Sequence, residues 1–274
     1  MKLLVLSDLH LEYDHFVAQE EAIALADVIV LAGDIHPAPD GIAWARQSFG
    51  AKPIVYVAGN HEFYGCDFDG ALTVLRQSAR QHDVHFLEND CVTIGGVRFL
   101  GCTLWTDFEF DGQERKAFLM ERAEVHWPDY TGEIRSNKSL TGRLQVQQTI
   151  ERHWQSRAWL QAQLPLGEPS RTVVVTHHYP NKKSTPPKFV GDEMNVAFGS
   201  HIPVDLIRHA GLWIHGHAHH HVDYRIADSK RSTRVIANPR GFESWAKEPE
   251  NCQFNSGYLA ERLPDGNWAQ HHEL

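Results

Sequence analysis

Short apolar runs that end in polar turns organise the first third of the chain. Leu3-Leu4-Val5-Leu6 runs into Ser7-Asp8-Leu9-His10, Val28-Ile29-Val30-Leu31 into Gly33-Asp34-Ile35-His36, and Ile54-Val55-Tyr56-Val57 into Gly59-Asn60-His61-Glu62. An apolar run without polar alternation suits a strand covered on both faces, as in a parallel sheet. The stretches between, 17–26 and 40–48, are Ala-rich and long enough for crossover helices. The pattern therefore predicts β-α-β-α-β, with each polar turn just past a strand's C-terminal end. In open α/β sheets ligands bind at that edge.

Further along the pattern changes. Residues 66–81 read as another helix. Val92-Thr93-Ile94 and Val97-Arg98-Phe99-Leu100 flank Gly95-Gly96, a pair suited to a two-residue hairpin turn. Residues 107–168 read as a charged, partly helical insertion, with helices expected near 112–126 and 141–164. Ile150, Trp154, Ala158 and Trp159 would form one apolar stripe on the second helix, facing a core. Strands return at 172–176, before His177-His178, and at 212–214, before His215-Gly216-His217-Ala218-His219. Between them lies a long polar segment, 181–201, of a kind that is often functional when it has no structure of its own. Runs at Tyr224-Arg225-Ile226, Val235-Ile236-Ala237 and Tyr258-Leu259-Ala260 predict a second, more antiparallel sheet. Neither a repeat nor a linker divides the chain, so residues 1–274 are expected to form one domain.

Composition narrows the function. The 274 residues carry 26 Lys plus Arg against 35 Asp plus Glu, a net charge of −9. Such a chain has no general attraction to duplex nucleic acid or anionic lipid, and a phosphate ligand would need a local positive source. The N-terminal apolar run is interrupted at Asp8, and no run approaches the ~18 apolar residues of a membrane span, so a cytoplasmic location without membrane contact is expected. Cys66, Cys91, Cys102 and Cys252 share no C-x-x-C spacing, which argues against a zinc ribbon or a disulfide framework. Histidine changes the picture: the chain has 19, and imidazole is the commonest metal ligand.

Asp8, His10, Asp34, Asn60, His177, His217 and His219 all fall in turns that the pattern delivers to one sheet edge. Mixed carboxylate, amide oxygen and imidazole suit Mn, Fe, Zn or Ni. These donors outnumber the three protein ligands of a single catalytic zinc. They suit two ions bridged by one carboxylate, an arrangement fitted to displacement at phosphorus. Consecutive strand residues point to opposite sides, so His177 and its neighbour His178 remain alternatives for one position.

Asp8-Leu9-His10, Gly33-Asp34, Gly59-Asn60-His61-Glu62, the His177 turn and Gly216-His217-Ala218-His219, in that order, resemble the five-block signature of calcineurin-like metallophosphoesterases. The resemblance implies a four-layer αββα sandwich of two mixed sheets with helices outside. It implies two divalent or trivalent transition-metal ions, one held by Asp8, His10, Asp34 and His219, the other by Asp34, Asn60, His177 and His217. Asp34 would bridge them together with a hydroxide. His61 would bind no metal; it would contact the phosphate and assist the leaving oxygen. The activity expected is hydrolysis of a phosphomonoester or phosphodiester of a small metabolite or nucleotide, with 107–168 and 181–201 as walls of the substrate site. Arg240 is a candidate bidentate phosphate contact, and Lys182 and Lys183 a candidate clamp on multiply charged substrates. His36 and His215 adjoin the blocks as candidate supports. Two other classes compete: a non-catalytic histidine-rich metal-binding protein on the same fold, which would not need His61, and a nuclease, which would cut single-stranded oligonucleotides.

Overall fold

A computed structural model describes residues 1–229, 231–243 and 250–270. Its strands are β1 (Lys2–Leu6), β2 (Val28–Ala32), β3 (Ile54–Val57), β4 (His85–Phe86), β5 (Asp90–Ile94), β6 (Val97–Cys102), β7 (Thr172–Thr176), β8 (Leu212–His215), β9 (Val222–Ala227), β10 (Ser232–Ala237), β11 (Leu259–Arg262) and β12 (Trp268–Gln270). They form two six-stranded sheets, ordered β12-β11-β1-β2-β3-β4 and β5-β6-β7-β8-β10-β9. Both are mixed: β1 to β4 run parallel with antiparallel β11 and β12 beyond β1, and β6, β7, β8 and β10 run parallel between antiparallel β5 and β9. The helices are α1 (Glu20–Leu25), α2 (Asp40–Phe49), α3 (Phe68–Gln81), α4 (Lys116–His126), α5 (Val146–Gln163) and α6 (Val204–Ile207).

Strand alternation explains the layering. Leu3, Val5, Val28, Val30, Val55 and Val57 point from the first sheet into a shared core with Phe99, Val173, Val175, Leu212 and Ile214 of the second. Their neighbours Leu4, Leu6, Ile29, Leu31 and Tyr56 point outward and pack under α1, α2 and α3 through Ala22, Ile42, Phe49 and Leu75. On the far side Leu100, Val174, Trp213 and Val235 meet Leu160 of α5 and Ile207 of α6. Both faces of the central strands are therefore buried, which is why their runs lack polar alternation. Each such side chain contributes about 1.5–3 kcal/mol. At the predicted hairpin Ile94 pairs with Val97, and Gly95 and Gly96 adopt φ of 55° and 76°. That is the pair of positive values a type I′ turn requires.

Two expectations are corrected. The run at 258–260 does not join the second sheet: β11 pairs antiparallel with β1, Leu4 opposite Leu259. It covers the edge that β1 would otherwise present to solvent. Alternation reports which face of a strand is buried, not which strand lies beside it. On α5 the stripe is also misplaced, since Trp154 is 42% exposed and Ala158 exposed. The buried face is Val146, Thr149, Ile150, His153, Ser156 and Leu160. Two of its polar members, His153 and Thr149, are buried with hydrogen bonds to backbone carbonyls. His153 Nδ1 donates to Leu104 O at 3.1 Å, and Thr149 Oγ1 to Val146 O at 2.8 Å. Trp154 instead packs under the Arg157 guanidinium. Among the described residues no helix is long and apolar enough to cross a membrane.

Candidate metal centre

The turns at the C-terminal ends of β1, β2 and β8 share an uncommon backbone. Asp8, His10, Asp34, His217 and His219 have φ of 52°, 47°, 54°, 69° and 45°. Left-handed values are costly for side-chain-bearing residues, by roughly 1–2 kcal/mol each, and least unusual for Asp, Asn and His. Hydrogen bonds between turns hold them: Asp8 N donates to Gly33 O at 2.9 Å, His10 N to Asp34 O at 3.1 Å and His217 N to Asp8 Oδ1 at 2.9 Å. Gly59 lets the third turn approach the second, since a Cβ there would collide with the Asp34 carboxylate and the His177 ring.

Glu62 ties these turns from beneath. Its buried carboxylate accepts from Asp34 N and Ile35 N at 2.9 Å each, Gly59 N at 2.6 Å and Tyr56 OH at 2.7 Å. In Glu62→Gln the amide NH₂ would face two of these donors in either orientation. We expect a loss of about 2–4 kcal/mol in stability from the unmet groups. Urea unfolding of the metal-free variant checks this, and an unshifted midpoint would remove Glu62 from that role.

The seven candidate ligands converge in two clusters that share Asp34. In one, His10 Nε2 lies 3.1 Å from His219 Nε2 and 3.9 Å from Asp34 Oδ2, and His219 Nε2 lies 3.5 Å from Asp8 Oδ1. In the other, His177 Nε2 lies 3.1 Å from His217 Nδ1, 3.2 Å from Asn60 Oδ1 and 3.3 Å from Asp34 Oδ2. His177 faces the cluster; His178 turns away, with Nδ1 on Thr103 O at 3.2 Å and its ring beside Trp105. Burial and the His177 charge push the His178 pKa down to about 3.

The atoms behind the clusters orient them. His177 Nδ1 donates to Ala32 O at 2.9 Å and His219 Nδ1 to Glu250 Oε2 at 2.7 Å. His10 and His61 both direct Nδ1 at Glu12 Oε1, at 3.3 and 2.8 Å. Asn60 Nδ2 donates to Asp129 Oδ1 at 3.0 Å, which leaves Oδ1 facing His177. Tyr64 OH donates to the same Asp129 oxygen at 2.8 Å, and its ring stacks on His61. Such partners fix which lone pair points at a metal.

The donor set fits divalent ions. Imidazole nitrogens of different residues point at one another beside carboxylates, and Asp8 Oδ2 is buried without a hydrogen-bond partner among the described residues. Burial favours neutral imidazoles, yet the Asp34 and Asp8 carboxylates hold His177 up at about 9. Asp8 and Glu250 overcome burial at His219 and hold it at about 10. The pocket thus draws in positive charge. Among the described residues three groupings can offer a metal three ligand atoms: Asp8–His10–His219, Asp34–His177–His217 and His10–Asp34–His61. Burial lowers the His61 pKa, but Asp34 and Glu12 more than offset it, so His61 is raised overall.

Other candidates lie elsewhere. Arg240 is committed to Leu9 O at 3.2 Å and Asp14 Oδ2 at 2.7 Å, where it braces the Asp8–His10 turn rather than facing the cleft. Lys182 and Lys183 are exposed over the rings of Phe110 and Tyr224. The turn that carries them is drawn away because Ser184 Oγ is bonded to His215 Nε2 at 2.8 Å. His215 thus anchors the 181–201 segment, and the His36 ring bonds the adjacent Pro37 O at 2.9 Å. A cleft of about 390 Å³ opens over the clusters, bordered by His126, Trp127 and Pro128 of the insertion and by Phe189 and Phe198 of 181–201.

Glu12, Asp129, Tyr64 and Glu250 were not singled out from the sequence. Glu12 sits two residues past His10, and that spacing is the one signal from which it could have been found. Asp129 lies 69 residues from Asn60 and gave none.

The profile of a family described as calcineurin-like phosphoesterase matches residues 1–221. Among solved structures, the crystal structure of phosphopantetheinyl hydrolase from Mycobacterium tuberculosis is similar with a TM-score of 0.64 at 19% identity. The match covers 88% of this chain and 89% of that one, and at this identity the likeness is one of fold. A search of curated proteins finds no match.

Proposed function

The chain belongs to the calcineurin-like phosphoesterase family and is a metal-dependent phosphoric ester hydrolase; we propose that it works with two ions and acts on a small phosphate ester. The carrying observation is that the Asp34 carboxylate stands in both ligand clusters, 3.9 Å from His10 Nε2 and 3.3 Å from His177 Nε2. Asp8, His10, Asp34 and His219 would hold one ion, and Asp34, Asn60, His177 and His217 the other. Bound there, Mn, Fe, Zn or Ni would offset the charge of the phosphate oxygens and lower the pKa of a water. We read residues 1–274 as one domain whose insertion supplies Asp129 and Trp127. The free thiols suit a reducing, cytoplasmic compartment. The test is a metal-by-substrate matrix on stripped protein: hydrolysis of a chromogenic aryl phosphate should saturate at two equivalents of metal, and saturation at one would reject the second ion.

The protein's own groups move the proton. With Nδ1 on Glu12, His61 keeps Nε2 for the substrate; burial lowers its pKa, but Asp34 and Glu12 raise it overall and so favour the proton-carrying form. As a water oxygen bonds to phosphorus and the bond to the leaving oxygen breaks, His61 gives its proton to that oxygen. A pure metal-binding protein has no use for this pairing. A nuclease is disfavoured by the modest cleft and the net charge of −9.

Glu12 serves as a positioning residue for His10 and His61. Burial would raise its pKa, but the two imidazoles hold it down at about 2. Glu12→Gln should lower kcat by about 10–100-fold, more on alkyl than on nitrophenyl esters. A loss confined to KM would exclude the role.

Metal uptake should release protons. Ligating imidazoles are neutral, whereas His177 and His219 titrate at about 9 and about 10 without metal. Each filled cluster should therefore expel about one proton at pH 7, and affinity should rise about tenfold per pH unit per proton. Calorimetry in buffers of different ionisation enthalpy reads this directly; zero release would contradict the assignment of these two ligands.

A further inference from the structure

The imidazoles of the centre are walled by carbon rings. Phe242 stacks on His10 with centroids 4.3 Å apart and meets His219 edge-on at 5.0 Å. Phe198 lies 4.8 Å from the His217 ring, and Trp127 packs edge-on against it at 5.2 Å. Tyr64 stacks on His61 at 4.1 Å, and Phe189 borders the same cleft, 37% exposed.

Apart from imidazoles, the charged groups of this lining are anionic among the described residues. No lysine or arginine borders the cleft among the described residues, whereas the carboxylates Asp34 and Glu250 do. Lys188, next to Phe189, faces Glu250 at 3.8 Å, and Arg240 is held by Asp14. One phosphate can be neutralised at the centre. A second anionic group farther out would lose its hydration against rings and Glu250, with no lysine or arginine among the described lining residues to offset it. A neutral planar ring would instead gain both apolar burial and face or edge contacts. A volume of about 390 Å³ leaves room for such a ring beside one phosphate.

We infer that the substrate is an ester of a single phosphate whose organic part is a neutral planar ring system, aryl or nucleobase, seated between Phe242 and the Phe198–Trp127 pair. This rests on the phosphoesterase reading and narrows its substrate class.

The experiment uses metal-loaded protein and three non-hydrolysable probes: 2-naphthylmethylphosphonate, methylphosphonate and 3-phosphonopropionate. Calorimetry should show the naphthyl compound binding at least about tenfold tighter than either of the others. Phe242→Leu and Trp127→Leu, at unchanged metal content, should cut that preference to about threefold or less. Both side chains are partly exposed, so the replacements keep their surroundings folded. Equal binding of the three probes, or tightest binding of phosphonopropionate, overturns the inference. In parallel, hydrolysis of 2-naphthyl phosphate and adenosine 5′-monophosphate is compared with that of phenyl phosphate and glycerol 2-phosphate. A preference for either two-ring substrate supports the inference and tells an aryl from a nucleobase source. Ring-selective binding without hydrolysis of any ester would sink the phosphoesterase reading and leave the ring site standing. Hydrolysis with no preference for rings would do the reverse.

Discussion

Asp34→Asn is expected to lower activity by at least about 10³-fold and to empty both metal positions. Asp34 Oδ1 accepts from His61 N at 2.8 Å, and Oδ2 faces His177 and His10. An amide that keeps its oxygen on the His61 N–H must point its NH₂ into the clusters, so a donor replaces the one anionic atom common to both. Burial alone would raise the Asp34 pKa, yet the His177 and His61 charges hold it well below the usual carboxylate range. The group is therefore an anion at every working pH, and the substitution removes a full charge. Elemental analysis beside kcat checks this, and two ions retained by the variant would reject the bridging role.

His61→Gln should leave the metal content intact and slow turnover of alkyl esters by about 10²–10⁴-fold, the usual worth of general acid help. Nitrophenyl esters should lose much less, because their leaving oxygen needs little protonation. The sign of the pH dependence follows from the raised His61 pKa. Activity that needs protonated His61 is present below that pKa and falls as pH rises through it, and the variant should lack this alkaline limb. Equal losses on both ester types would leave His61 with phosphate contact alone.

Much of the scaffold was legible because burial acts on each residue where it stands. Runs such as Val28–Ala32 and Thr172–Thr176 are buried on both faces, so their short length and β-branched content, rather than any alternation, mark them as strands. The candidate ligands were legible for a related reason: Asp8, Asp34, Asn60, His177 and His217 each follow their strand by no more than a few residues, so finding the strand places the side chain. Polar residues at a helix surface carried no comparable signal. His153 looks solvent-facing by type, and the packed structure, with its Nδ1 on Leu104 O, places it on the buried side of α5.

From sequence alone came the parallel βαβ core, the hairpin, the metal-capable turns and their order, all set by interactions between a residue and its near neighbours or solvent. The tertiary structure decided that β11 lies beside β1, and that His177 rather than His178 faces the cluster. It also turned Arg240 toward Asp14 and not the cleft. It brought Asp129 to Asn60, Glu12 to His61 and Glu250 to His219 across 69, 49 and 31 residues. Hydrogen bonds weaken steeply once the atoms leave a separation of about 3 Å. A carboxylate's partner is therefore chosen by where the packed elements bring it, and chain separations of this size leave no periodicity from which to read that choice.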